Sequence, residues 1–417
     1  INYLSKANGT FAIQVLKTLC QDRPSQNVFF SPLSISSALA MVLLGAKGNT
    51  KDQMVQLFSV LIFKIESQSY AALSFIYTMS KASESSVQVQ NLYLLLSSSR
   101  PLSPPIPTVS LLTHCHFIEQ PDHLNYSSPK TFKESCLQFY HVELELLSFA
   151  EATEKSREHI NTWVSKETKG KIPELLPMGS INEQVRMILV NTIYFQGTWY
   201  KLFDKSSTKE MPFKVNQEEE RSVQMMWKEA NFNYVYIREA QTQVLELPYA
   251  GKTLSMIILL PDEDMDLRVV ENNLTFEKFI AWTKAASLQN TEVEVLLPRF
   301  KLQGDYDMES VLQRLGMVDA FQQGQADFSA MSSETDLCLS KVVHKSVVEV
   351  NEEGTEASAC DSCSPTFCAD HPFLFFIRHH ESNTVLFCGR FSSPQGLHFL
   401  SMEIFPFSMS PNFHYSS

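Results

Sequence analysis

The sequence predicts an α+β domain with helices first and strands later, on three observations. The first 60 residues carry helical apolar periodicity and one strongly capped helix start. The second half is a series of short apolar runs bounded by proline and polar turns. The composition, 44% hydrophobic and 19% charged over 417 residues, allows a large core without repeats or disorder-prone bias. Helices followed by strands argue against a regular βαβ chain and for a mixed or antiparallel sheet.

Taken in order, Phe11, Val15 and Leu19 share one face of the opening segment, with Ala12 and Leu16 beside them. Ser31-Pro32 then starts a helix, with a hydroxyl cap followed by a proline whose missing N–H costs nothing there. Ala38, Leu39, Met41, Val42, Leu43 and Leu44 are apolar nearly all round, the mark of a buried helix, and Gly45 ends it. Ser180-Ile181-Asn182-Glu183 has the form of a capping box, and Tyr306 to Leu315 reads as a short helix closed by Gly316. Strands are expected at 244–248, 254–260, 291–297, 347–350, 373–378 and 385–390, the last two joined into a hairpin through 380–383. Two stretches do not fit. From about 59 to 130 the chain turns Ser- and Pro-rich, with Val87 to Leu94 its nearest alternating run, and 395–417 has no clear period.

The formal net charge is −12, which disfavours nucleic acid and anionic membranes as partners. The apolar run 57–63 is broken by Ser59 and stopped by Lys64, far short of a membrane span. With eight cysteines in 417 residues and no basic-then-apolar leader, the chain reads as cytoplasmic with free thiols, and the sequons at Asn8, Asn125 and Asn273 read as chance. Enzyme motifs are lacking. There is no G-x-S-x-G and no G-x-G-x-x-G. Gly251-Lys252-Thr253 ends like a phosphate loop, but Glu246 stands where the upstream glycine belongs. Cys360, Cys363 and Cys368, and His114-Cys115-His116, lack partners at metal-site spacing and read as loop residues. No catalytic residue, metal or cofactor is expected.

One run is specific: Asn27-Val28-Phe29-Phe30-Ser31-Pro32-Leu33-Ser34-Ile35, continuing through Ala38-Leu39-Ala40-Met41 to Gly45-Ala46-Lys47-Gly48-Asn49-Thr50. It resembles the helix B signature of the serpins. Residues 189–199 with Phe203, Thr208 and Phe213 are similar to their strand 3A, although Gln196 sits where lysine is commoner. Val342-Val343-His344-Lys345 followed by Glu352-Glu353-Gly354-Thr355-Glu356-Ala357 resembles strand 5A and the reactive-loop hinge. Residues 367–373 and 386–390 are similar to the C-terminal signature. The resemblance covers roughly 1–58 and 131–394 and is closest to the intracellular ovalbumin-type branch. It implies a single domain over 1–394, with 59–130 anomalous and 395–417 a tail foreign to the family, built from three sheets and about nine helices.

The resemblance also implies a function. Serpin inhibitors are suicide substrates: the protease cleaves an exposed loop, and the loop inserts into sheet A before the acyl-enzyme can hydrolyse, distorting the protease. The expected partner is a serine protease, granzyme-like in the nearest part of the branch, met by a monomer without nucleic acid or membrane. Ser31, Ser34, Asn191 and His344 map to the shutter, a polar cluster under the centre of sheet A. Trp199, Arg299 and Glu352 map to the breach, where the loop enters. The hinge runs through Glu352, Glu353, Gly354, Thr355, Glu356, Ala357, Ser358 and Ala359, whose small residues bury easily between strands.

Two departures carry consequences. Family-like sequence is lost around 59–130, where strand 2A belongs, and returns at Thr131-Phe132-Lys133. The loop is also short, with 12 residues between Gly354 and Phe367, about ten fewer than in inhibitory relatives. If the scissile bond follows Cys363, ten residues can insert, about 33 Å of strand at ~3.3 Å per residue. That is short of the insertion the family uses, so a non-inhibitory, substrate-like paralogue is the alternative, with the protease mostly going free. Asp361 is the only acidic loop residue after Glu356, so a granzyme-like preference does not carry over.

Overall fold

The computed structural model describes residues 3–57, 87–93, 115–119, 132, 145–147, 149–168, 170–332, 336–352 and 365–394. The opening periodicity is helix α1, Tyr3–Asp22. After strand β1, Val28–Phe30, comes α2, Pro32–Gly45. Its cap is as the sequence predicts: Ser31 is extended, Pro32 opens the helix, and the Ser31 hydroxyl accepts from the Ser34 N–H. The helix is buried on nearly every side, with Leu39, Met41 and Val42 fully inside. Helix α3 follows at Gly48–Leu57, and α4 covers Phe149–Glu167 with a kink at Ala152.

Six strands form one sheet. The parallel pair β5, Met187–Gly197, and β12, Lys341–Val350, lies at its middle. On the outer side of β12 is β11, Phe300–Asp307, and on the outer side of β5 are β2, Val87–Tyr93, and β3, Cys115–Glu119. Strand β4, Glu145–Leu147, closes the edge. The sequence expectation of only a weak strand within 59–130 therefore meets two strands, both laid against β5. Ten-residue β12 extends the expected 347–350 strand back to Lys341.

The other nine strands make one continuous ladder, in the order β1-β15-β14-β9-β8-β7-β10-β13 with β6 on β7. They are β6 Lys209–Lys214, β7 Glu220–Ile237, β8 Thr242–Pro248, β9 Leu254–Pro261, β10 Gln289–Pro298, β13 Thr366–Cys368, β14 Phe373–His379 and β15 Val385–Phe391. This ladder is two sheets joined through one strand. The 18-residue β7 pairs with β6 by its first part, with β10 over 225–234, and with β8 only from Asn233 to Ile237. The hairpin expected from 373–390 is β14–β15, and Asn383 supplies a left-handed residue in its turn. Short helices α5, Leu267–Asn273, α6, Phe276–Thr283, and α7, Glu309–Arg314, bring the α-helices among the described residues to seven.

Two expectations change. Ser180 to Glu183 forms no helix; β5 begins at Met187, which leaves no room for one, and Asn182 instead accepts from the Gln184 N–H in a turn. Tyr306 and Asp307 end β11, so the helix after them starts only at Glu309. The core is aromatic where the sheets meet. Phe29 stacks on Phe387 at 5.4 Å, Phe195 tilts onto Phe387 at 5.1 Å, and Phe300 packs on Phe391 at 4.7 Å. Gly304 of β11 lies so close to this junction that a Cβ there would sit 1.9 Å from the Phe29 carbonyl oxygen. A glycine inside an alternating strand marks such a close approach.

Candidate functional site: the seam between two parallel strands

The parallel register of β5 and β12 runs nine positions, from Ile188↔Lys341 to Gln196↔Glu349, and puts Asn191 directly opposite His344. His344 is completely buried, as are Ser34 and, to within 1%, Asn191 and Ser31. The backbone N–H of Ser31 donates to His344 Nε2 at 3.1 Å. That makes Nε2 an acceptor, so the ring is the Nδ1–H tautomer and its proton faces Asn191 Oδ1. Asn191 in turn exchanges hydrogen bonds with the Ser34 hydroxyl, at 2.6 and 2.9 Å. The Ser31 hydroxyl donates to the Leu386 carbonyl at 2.7 Å. The four residues singled out in the sequence are thus one hydrogen-bonded set. Its single link across the seam is His344 to Asn191, while Ser31 holds the β12 side and Ser34 the β5 side.

The set is wider than the sequence suggested. The Phe29 N–H donates to the Tyr306 hydroxyl at 3.1 Å, and Ser346 donates to the Phe29 carbonyl at 2.7 Å. Both partners stand on the β11–β12 side. Gly304, an isolated glycine in an alternating run, was the sequence signal for this contact.

Burial in this apolar surround pushes the His344 imidazole down to about 3. In the unfolded chain it titrates near 6.5. The folded state therefore binds fewer protons, and the stabilisation is present above about pH 6.5 and is lost as pH falls toward 3. We expect about 2 kcal/mol of stability to disappear between pH 7 and pH 5 from this group. Urea midpoints across that range check it: His344→Gln should flatten the slope, and an unchanged slope would assign it elsewhere.

At the upper end of β12, the Glu352 carboxylate is buried, with Thr208 donating to it at 2.7 Å and the half-exposed Arg299 guanidinium 3.6 Å away. Trp199 donates from Nε1 to the Asn351 carbonyl at 2.9 Å and stacks on Tyr249 at 4.5 Å. Trp199, Arg299 and Glu352 therefore meet where β12 ends. Thr208 and Tyr249 join them as the partners not foreseen. The hinge residues Glu353, Gly354, Thr355, Glu356, Ala357, Ser358 and Ala359 lie outside the described residues, as does the expectation for 395–417.

A family model described as Serpin (serine protease inhibitor) matches residues 6–394. The chain belongs to the serpin family. This serpin is 57% identical over 401 residues to human Serpin B9, with 94% of this chain and 99% of the relative covered. It is 51% identical over 403 residues to Serpin B6 of Pongo abelii, covering 94% and 100%. Among solved structures, uncleaved ovalbumin superposes with a TM-score of 0.82 at 32% identity, over 94% of this serpin and all of that chain. The α+β architecture and the ovalbumin-type placement expected from sequence both hold.

In this serpin Gly251 and Lys252 are the two left-handed residues of the β8–β9 turn, with the Lys252 N–H bonded back to Tyr249, so the phosphate-loop likeness ends there. Cys360 and Cys363 lie outside the described residues. Burial and the neighbouring Asp370 push the Cys368 thiol up to about 12, which keeps it protonated and a poor ligand. Among the described residues, no group of His, Cys, Asp and Glu is arranged to hold a metal. No helix among them is long and apolar enough to cross a membrane. Asn8 is buried and bonds the Val385 carbonyl, which removes that sequon as an acceptor.

Proposed function

We propose that this serpin inhibits a serine protease as a suicide substrate, its cleaved loop entering between β5 and β12. The seam itself carries the reading. It is a parallel pair whose members are joined by no local connection, and β12 leads straight into the loop at Asn351 and Glu352. A chain turning back there runs antiparallel to both strands, and antiparallel pairing is the more stable per residue. The loop count also favours it. The seam is nine register pairs long, about 30 Å, and residues 354–363 supply ten, about 33 Å. A shortened loop thus still matches the length of the slot, which favours inhibition over the substrate-like alternative.

In this reading Ser31, Ser34, Asn191 and His344 act as the shutter. Within this set, loop entry breaks the His344–Asn191 link alone, and each of the four residues keeps a partner on its own side. Trp199, Arg299 and Glu352 form the breach, and Gly354 gives the hinge its freedom to reverse. The chain works as a cytoplasmic monomer and catalyses nothing. Cleavage after Cys363 fits the slot, whereas an acid-specific cut at Asp361 would leave only residues 354–361, eight in all, to insert. The test is an SDS-resistant adduct assay with a panel that includes acid-specific and elastase-like serine proteases. A covalent band with at least one of them is expected; cleavage without an adduct across the whole panel would establish the substrate reading instead.

A further inference from the structure

The two strands on the outer side of β5 share one line. Strand β2 pairs antiparallel from Val87↔Gly197 to Tyr93↔Asn191, and β3 takes over from Cys115↔Val190 to Ile118↔Met187. Both run in the same direction, and together they use consecutive β5 positions with none skipped and none shared. Position 191 is the last of β2 and position 190 the first of β3. We infer that β2 and β3 are two halves of a single strand, and that the 21 residues 94–114 are an insertion that splits it beside Asn191. With those residues removed, Cys115 would follow Tyr93 and fall opposite Val190 with no change of register. The far end of the line is fixed independently, because β3 also pairs with β4, Phe117↔Glu145 to Glu119↔Leu147.

The location gives the insertion a consequence. Asn191 is the β5 residue that bonds His344 of β12, so the joint in the outer strand lies level with that buried side-chain link across the seam. A strand formed from one continuous segment orders fewer chain ends and closes no loop, whereas joining the halves across 21 residues costs loop-closure entropy. The insertion therefore lowers the stability of the β5 half of the sheet at the height where the seam is tied. This inference concerns the sheet, and it stands whether or not the chain traps a protease.

Three deletions of the full chain test it. Removing 94–114 should raise Tm by about 5 °C or more over the parent. Removing 95–114 or 94–115 should give a smaller rise or a fall, because a one-residue slip turns every side chain of one half to the other face of the sheet. Three deletions that melt alike, or a 94–114 deletion that melts below the parent, would overturn the inference. If none of the deletion variants folds, amide hydrogen exchange in the undeleted chain decides. Backbone amides of 87–93 and 115–119 should be protected within about tenfold of each other, as halves of one strand opened by the same event. Exchange of 115–119 more than a hundredfold faster than 87–93 would remove β3 from the line.

Discussion

Replacing Arg390 with methionine is expected to destabilise the chain by about 3–5 kcal/mol. Arg390 is 1% exposed and sits where the first helix meets the last strand. Its guanidinium holds Glu271 of α5 at 3.0 Å, in a pair whose carboxylate is also buried. The same side chain donates to the carbonyls of Cys20, Arg23 and Gln26, which lie at and just past the C-terminal end of α1 and have no helical donor left. Methionine fills similar space and leaves the buried Glu271 carboxylate and the Cys20 carbonyl without this donor. Adding Glu271→Leu should recover part of the loss by removing the stranded charge, but not all of it, because the Cys20 carbonyl still lacks the guanidinium. Denaturant titration of the single and double variants reads both effects. A single variant within 1 kcal/mol of the parent would show the site to be more hydrated than its burial implies.

Cleaving the loop after Cys363 is expected to raise Tm by roughly 5–15 °C, a gain of several kcal/mol for a domain of this size. Entry of the freed strand replaces one parallel pair by two antiparallel ones and turns a six-stranded sheet into seven. It also buries the small residues after Gly354. The gain is limited because only ten residues are available and Asp361 falls among them, where an interior strand favours apolar side chains. Melting curves of the intact and nicked chain decide it. No rise would mean that the strand stays outside, and a rise of tens of degrees would mean that insertion draws in residues beyond the loop, with β13 the nearest source.

The parts of this molecule that were legible in the sequence are those fixed by local chemistry. Ser31-Pro32 announces its helix because a cap and a proline act within one turn, and the 373–390 hairpin declares itself by two apolar runs around a polar turn. The residues proposed as shutter and breach were legible only through family likeness, since Asn191 and His344 are 153 positions apart and nothing local marks them as neighbours. What escaped was set by tertiary context. Strand β7 alternates poorly because its ends face different partners, and the Ser180 segment has the form of a capping box yet lies too close to β5 to start a helix. Phe29, Tyr306 and Ser346 were missed because their contact runs through the Phe29 backbone, which leaves only the glycine at Gly304 as its trace in the sequence.

The order of strands in the large ladder bears on how the chain can be made. Strand β1 has its edge on β15, and β9 has its edge on β14, so the two strands synthesised last stand between one synthesised first and one from the middle. Asn27 also bonds the backbone of Ser392 and Ser393, more than 360 positions later. At elongation rates of about 5–20 residues per second, the segment carrying α1, β1 and α2 waits roughly 20–70 s for its partners. During that wait α1 can cover part of α2, but Phe29 and Phe30 lack the β15 strand they pair with. A message truncated before Phe373 therefore yields a product that cannot close its core, however intact its first nine-tenths are.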